Sequence, residues 1–229
     1  MLSILILDYS TSRIANPTIT PWLPQSADIT SLYIDSEAAF PDDLMDRSFT
    51  HVIHSGSELS ITERAPFTNR AEAFIQNASL AGIAQMGICY GHQLICRALV
   101  GENSIRSSPN GFEAGWGDVE FNDLGVTELY LKLVEKIWQH HFDEVTILPP
   151  GSEVVARNNH TEIQAYINQK LRLFGMQFHP EVTRAVGNKI FVNDRLLLQE
   201  YGYDTDKIIT EGPSIDAGRI FFNYFLTKM

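Results

Sequence analysis

Residues 80–100 constrain this chain most. Leu80 to Ile88 is a short, largely apolar run that feeds straight into Cys89, and Leu94 to Val100 then continues at helical spacing until Gly101. A short apolar run fits a strand covered on both faces, and a covered strand followed directly by a helix is the unit of a parallel sheet. The join reads Gly87-Ile88-Cys89-Tyr90-Gly91, the cysteine counterpart of the G-x-S-x-G nucleophile elbow. A side chain at either glycine would obstruct the sharp turn that exposes the middle residue. A helix starting after the cysteine aims its dipole and free N–H groups at the sulfur, which favours thiolate over thiol. The Tyr90 N–H can then face a developing oxyanion. A buried structural cysteine would show the same short pattern, so the elbow gains meaning only from partners elsewhere in the chain.

Those partners stand in Gln177-Phe178-His179-Pro180-Glu181. A cysteine nucleophile needs a base, and the base needs an orienting group. In extended backbone His179 and Glu181 point to the same side, with Cα atoms roughly 6–7 Å apart. Glu181 can therefore hold one imidazole nitrogen and leave the other for Cys89, while Pro180 stiffens the backbone between them. Alone, the segment also reads as an edge strand ending in a proline turn. Together with the elbow it supplies nucleophile, base and orienting acid. Ser55-Gly56-Ser57, after the β-rich run Thr50–His54, reads first as an ordinary strand-ending turn, and could lend a second oxyanion N–H. His140 and His141 are adjacent and cannot both face one metal in regular structure, so no zinc site is expected. There is no G-x-G-x-x-G and no P-loop, and no nucleotide or other cofactor is expected.

The rest of the chain fits one α/β domain over residues 1–229. Ile4–Leu7 is a buried strand ending at Asp8; it lacks the basic start and cleavage site of a signal sequence, and no run approaches the ~18 apolar residues of a membrane span. Residues 9–27 carry Pro17, Pro21 and Pro24 and form a long loop or broken helix. Strands are expected at 28–34 and 50–54, with a short acidic segment at 41–45 between them. A helix is expected over 62–80, and further strands at 119–121, 145–147, 154–156, 164–167 and 173–178. Helices are expected at about 185–201 and 214–227. The βαβ order predicts an open, mostly parallel sheet with helices on both faces. The formal net charge of −11 argues against nucleic acid or anionic membrane as the main partner. Cys89 and Cys96 on one helix would stand roughly 10 Å apart, too far for a disulfide, so a reduced, cytoplasmic protein is the simplest expectation.

Five motifs in order resemble class I glutamine amidotransferases, and most closely their free-standing GMP-synthase-like branch. They are Gly56-Ser57-Glu58-Leu59-Ser60, Gly87–Gln93, Glu113-Ala114-Gly115-Trp116, Gln139–Asp143 with Leu148–Gly151, and Phe178–Thr183. The resemblance covers roughly residues 45–185. It implies a flavodoxin-like fold, a triad of Cys89, His179 and Glu181, and an oxyanion hole from Tyr90 with Gly56 or Ser57. It also implies a glutamine-binding role for Gln93, His141 and Asp143. The substrate would be glutamine or a γ-glutamyl compound, and the ammonia would pass to a separate synthetase subunit. A stand-alone γ-glutamyl hydrolase shares the chemistry, and a non-catalytic regulatory or binding protein could share the fold. Ser57 stands where the branch has a second glycine, and would be strained if its φ were positive. Phe142 stands where the branch has glycine, and residues 9–27 lack the branch's tidy first helix.

Overall fold

The N-terminal apolar runs line up as a parallel sheet. β1 (Ser3–Asp8) lies between β2 (Asp28–Tyr33) and β3 (His51–His54), and β4 (Ala84–Ile88) pairs with β3. The structure, a computed structural model, describes residues 2–41 and 43–229. Met1 and Asp42, the latter inside the acidic segment 41–45, lie outside the described residues. A two-stranded ribbon joins β5 (Ile105–Ser107) to β8 (Asp143–Val145). The main sheet continues through β6 (Glu113–Phe121), β7 (Val134–His141), β9 (Glu153–Arg157), β10 (Ala165–Asn168) and β11 (Leu173–Met176). Its spatial order is β2-β1-β3-β4-β11-β10-β9-β6-β7. Only β10 and β6 run against the rest, so the sheet is mostly parallel. The decisive pairing is β11 beside β4, because it returns residues 177–181 to the end of the strand that carries Cys89.

Period-two alternation sends Ile4 and Ile6 to one face and Leu5 and Leu7 to the other. The first face packs against α1 (Ala15–Ile19), α4 (Asp123–Leu129) and α8 (Ala217–Lys228), with Phe221 and Phe225 at its centre. The second packs against α2 (Thr68–Leu80) and α3 (Tyr90–Val100) through Phe74, Ile75, Leu94 and Ile95. A third cluster sets Trp116 and Trp138 against α5 (Arg184–Asn193), α6 (Arg195–Glu200) and α7 (Thr205–Glu211). None of the helices is long and apolar enough to cross a membrane, among the described residues.

Several boundaries differ from the sequence reading for local reasons. α2 starts at Thr68 rather than 62, because Pro66 disfavours helix in the residue before it. Leu80 closes α2 and is 88% exposed, and the chain turns at Gly82 with φ +70° before β4 begins at Ala84. The expected 185–201 helix is two helices split at Asp194, whose carboxylate meets His140 at 3.1 Å. Strand β7 has no counterpart among the expected strands, since Trp138 and Gln139 are both buried and the alternation is lost.

The two elbow glycines clear different obstacles. A Cβ at Gly87 would lie 2.6 Å from the His92 nitrogen in the first turn of α3, and one at Gly91 would lie 2.2 Å from the His54 carbonyl oxygen at the end of β3. Both neighbours are backbone and cannot swing aside. Gly91→Ala should therefore destabilise by about 3 kcal/mol or more, a fall in melting temperature of roughly 6–12 °C for a chain of this size. Thermal unfolding checks this; an unchanged midpoint would contradict the close approach.

Candidate active site

Four strand ends meet at one edge of the sheet, the carboxyl edge where open α/β sheets form their crevices. Cys89 follows β4 with φ 48° and ψ −105°, a conformation that L-residues rarely adopt. The surroundings fix it: the Cys89 N–H donates to the Met176 carbonyl at 2.7 Å, the Gly91 N–H to Ser55 O at 3.0 Å, and the Gln93 N–H to Cys89 O at 3.1 Å. The sulfur thus projects from the sheet edge while the backbone belongs to both strand and helix. Cys96, about two helical turns further on, is fully buried, and burial pushes its thiol up to about 12.

Residues 177–181 continue β11 past the elbow, with the His179 N–H donating to Trp138 O at 3.0 Å. The expected extended backbone gives way to a turn at Pro180–Glu181, closed by the Val182 N–H donating to His179 O at 3.4 Å, and it is this turn that brings Nδ1 to Glu181 Oε1 at 2.7 Å. That leaves Nε2 unengaged by Glu181, with Cys89 close enough to the ring to help raise its pKa. Burial alone would lower the imidazole pKa, but the Glu181 carboxylate and Cys89 outweigh it and raise it to about 10. The ring is boxed in by Trp138, edge to face at 4.9 Å between centroids, and by Gly56, where a Cβ would sit 2.7 Å from Cε1 and 3.7 Å from the Cys89 Cβ. Structure therefore brings Cys89, His179, Glu181 and Gly56 together. The half-buried Trp22, in the proline-rich segment, donates its indole N–H to Glu181 O at 3.0 Å. The sequence reading missed both tryptophans, which come from distant segments with no spacing signal.

Tyr90 opens α3, so its N–H lies outside the helical ladder. Among the described residues the N–H groups of Gly56, Ser57 and Tyr90 donate to no protein acceptor. Ser57 is not among the residues with positive φ, so the strain considered for a serine there does not arise.

Gln93, His141 and Asp143 lie beside the elbow in a buried polar network. Gln93 Nε2 donates to Asp143 O at 2.9 Å and to Gln177 Oε1 at 3.0 Å. The Asp143 carboxylate accepts from Ser60 Oγ, Ile61 N–H and Ser107 Oγ. His141 donates from Nδ1 to Asp143 O at 3.1 Å and turns Nε2 to Glu113 at 2.8 Å. Burial pushes the Glu113 carboxyl up, yet hydrogen bonding and charge from His141, with His160 and Asn158, outweigh it and hold the pKa below its ordinary value. Glu113, His141 and His160 are close enough to share a cation. The donor set does not fit one, because Asn158 and Gln164 turn amide N–H groups onto both carboxylate oxygens of Glu113. Phe142 is 40% exposed and stacks on Phe112 at 4.3 Å.

A family model described as Glutamine amidotransferase class-I matches residues 33–198. One subunit of the glutamine-hydrolysing GMP synthase of Sulfolobus acidocaldarius is 30% identical over 169 residues, covering 72% of this chain and 87% of that protein. Its counterpart in Pyrococcus abyssi is 35% identical over 117 residues, covering 50% of this chain and 60% of that protein. In the glutamine-hydrolysing GMP synthase of Parafrankia the match spans only 19% of the relative's length. A glutamine amidotransferase from Thermotoga maritima superposes with a TM-score of 0.75 at 17% identity, covering 98% of this chain and 96% of that one. Another from Methylobacillus flagellatus gives 0.74 at 15% identity, covering 100% and 96%. At such low identity these structures show the shared fold.

The geometry predicts a protonated His179 ring at neutral pH. Nitrogen NMR of the imidazole should show titration near 10, and Glu181→Gln should move the midpoint downward, since the carboxylate is the foremost group raising it. A ring that titrates near 6.5 in both proteins would contradict the arrangement.

Proposed function

The chain belongs to the class-I glutamine amidotransferase family, and we propose that Cys89, His179 and Glu181 are its catalytic triad, cleaving the glutamine γ-amide by way of a γ-glutamyl thioester. The Cys89 sulfur attacks the γ-carboxamide carbon, and the carbonyl oxygen takes up negative charge facing the N–H groups of Tyr90 and of Gly56 or Ser57. One such donor is worth about 10²–10³ in rate. The imidazolium of His179 gives its Nε2 proton to the nitrogen, the C–N bond breaks and ammonia leaves. The neutral ring then takes a proton from water as its oxygen attacks the thioester. The C–S bond breaks, glutamate departs, and thiolate and imidazolium are restored. Glu181 keeps the ring oriented and favours its charged form through both steps.

One observation carries this reading: a largely buried imidazole, held by Glu181 at 2.7 Å, lies beside a cysteine in a strained strand-to-helix turn. In this scheme Gln93, His141 and Asp143 face the amino-acid end of the substrate. Because the side chains of His141 and Asp143 are already engaged, their share is to shape that wall and fix Gln93. Ammonia would pass to a separate synthetase chain, in keeping with relatives named as one subunit of a GMP synthase. Neither nucleic acid nor membrane has a place in the scheme. Residues 1–229 are taken as one domain around a common sheet, and the cytoplasm as its compartment, since both cysteines are free and buried. A second reading, hydrolysis of γ-glutamyl peptides or conjugates, is favoured by the exposed Phe142 ring in place of glycine.

Glutamate release by the isolated chain tests the scheme. With glutamine, or with γ-glutamyl dipeptides, wild-type turnover should fall more than about 10³-fold in Cys89→Ser. Rates should also decline as pH rises past about 10 and the imidazolium is lost. Turnover that survives the substitution contradicts the scheme. Strong acceleration by an ammonia-using synthetase supports the first substrate reading, and immediate dipeptide hydrolysis the second.

A further inference from the structure

The segment after β3 is tied by its side chains to the segment after β1. The Tyr9 N–H donates to Ser55 Oγ at 2.9 Å, and Ser55 Oγ in turn donates to Gly56 O at 2.8 Å. Ser57 Oγ donates to Tyr9 O at 2.9 Å and accepts from the Leu59 N–H at 3.1 Å. One residue further on, the Glu58 carboxylate accepts from the Thr11 N–H at 2.7 Å, from Thr11 Oγ1 at 3.0 Å and from the Ser12 hydroxyl. Both backbone groups of Tyr9 are thus held by the two serines that flank Gly56. The Tyr9 ring is buried among His54, Phe67 and Tyr90.

This clasp acts on one peptide unit. The Gly56 carbonyl and the Ser57 N–H belong to the same planar trans amide, so they point in opposite directions. Fixing the carbonyl toward Ser55 Oγ fixes the N–H on the far side, and anchoring the Ser57 side chain prevents the unit from rotating. The same unit adjoins the Gly56 Cα that stands against the His179 ring. A glycine at 57 would have no hydroxyl to anchor and would populate both signs of φ.

We propose that Ser57 is a positioning residue for the reaction: its hydroxyl, bonded to the Tyr9 carbonyl, locks the Gly56–Ser57 peptide as a ready-formed oxyanion donor. The proposal rests on the thioester reading above and adds to it a role for the side chain that departs from the family pattern. Locking costs nothing at the moment of reaction, which is what makes such donors effective.

Ser57→Ala removes the anchor without opening φ space. It should lower kcat for glutamine hydrolysis about 10-fold with KM changed less than about 2-fold, the pattern of an interaction made only in the transition state. Alkylation of Cys89 by iodoacetamide forms no oxyanion, so its rate should stay at the wild-type value. Ser57→Thr, which keeps the hydroxyl, should recover most of kcat. An unchanged kcat in Ser57→Ala, or a parallel loss of alkylation, overturns the proposal. Hydrogen exchange across residues 55–59 reads the clasp without any substrate: it should quicken in Ser57→Ala, and unchanged exchange also overturns the proposal. Failure of the thioester reading is distinguishable, because it would appear as wild-type turnover that does not need Cys89.

Discussion

The strained backbone of Cys89 is the constraint around which the rest is arranged. A residue in such a conformation costs on the order of 1–3 kcal/mol and persists only where its surroundings over-determine it. Here they do so from three sides. β11 takes the Cys89 N–H, the end of β3 takes the Gly91 N–H, and α3 closes its first turn on the Cys89 carbonyl. The same three elements deliver the other groups of the proposed site: residues 177–181 bring His179 and Glu181, the end of β3 brings Gly56 and Ser57, and α3 brings Tyr90. The strained cysteine and the groups around it are consequences of a single junction.

Much of that junction was legible in the sequence because it is local. A covered strand, two glycines around a cysteine and a helical run can be recognised within about twenty residues. The pairing of His179 with Glu181 was legible from their spacing, but extended backbone is not what produces it: a turn at Pro180–Glu181 brings the two side chains together. What was not legible came from tertiary packing. Trp138 sits on a strand whose alternation is erased by burial on both faces, and Trp22 reaches Glu181 from a segment marked only by its prolines. Ser57 read as a possible source of strain because a residue's φ is not written in its identity. In the structure the serine instead gains two hydrogen bonds that a glycine could not make.

Around Glu113 and Asp143 the buried carboxylates find partners. Glu113 stays ionised because two histidines and two amides face it, and Asp143 is held by three donors. Those networks stiffen the wall beside Cys89. They also explain why a cluster with metal-like composition does not read as a metal site: the donors that would have to give way are themselves fixed, Asn158 by its bonds to His160 and Thr161 and Gln164 by Gln139.

The central claim is that this junction makes the sulfur of residue 89 the atom that carries the acyl group. Acid quenching during turnover with glutamine, followed by mass spectrometry of the digested chain, measures that directly. The account predicts a glutamyl adduct on the peptide containing Cys89. Steady glutamate production with the adduct on another residue, or with none under conditions that preserve thioesters, would contradict it.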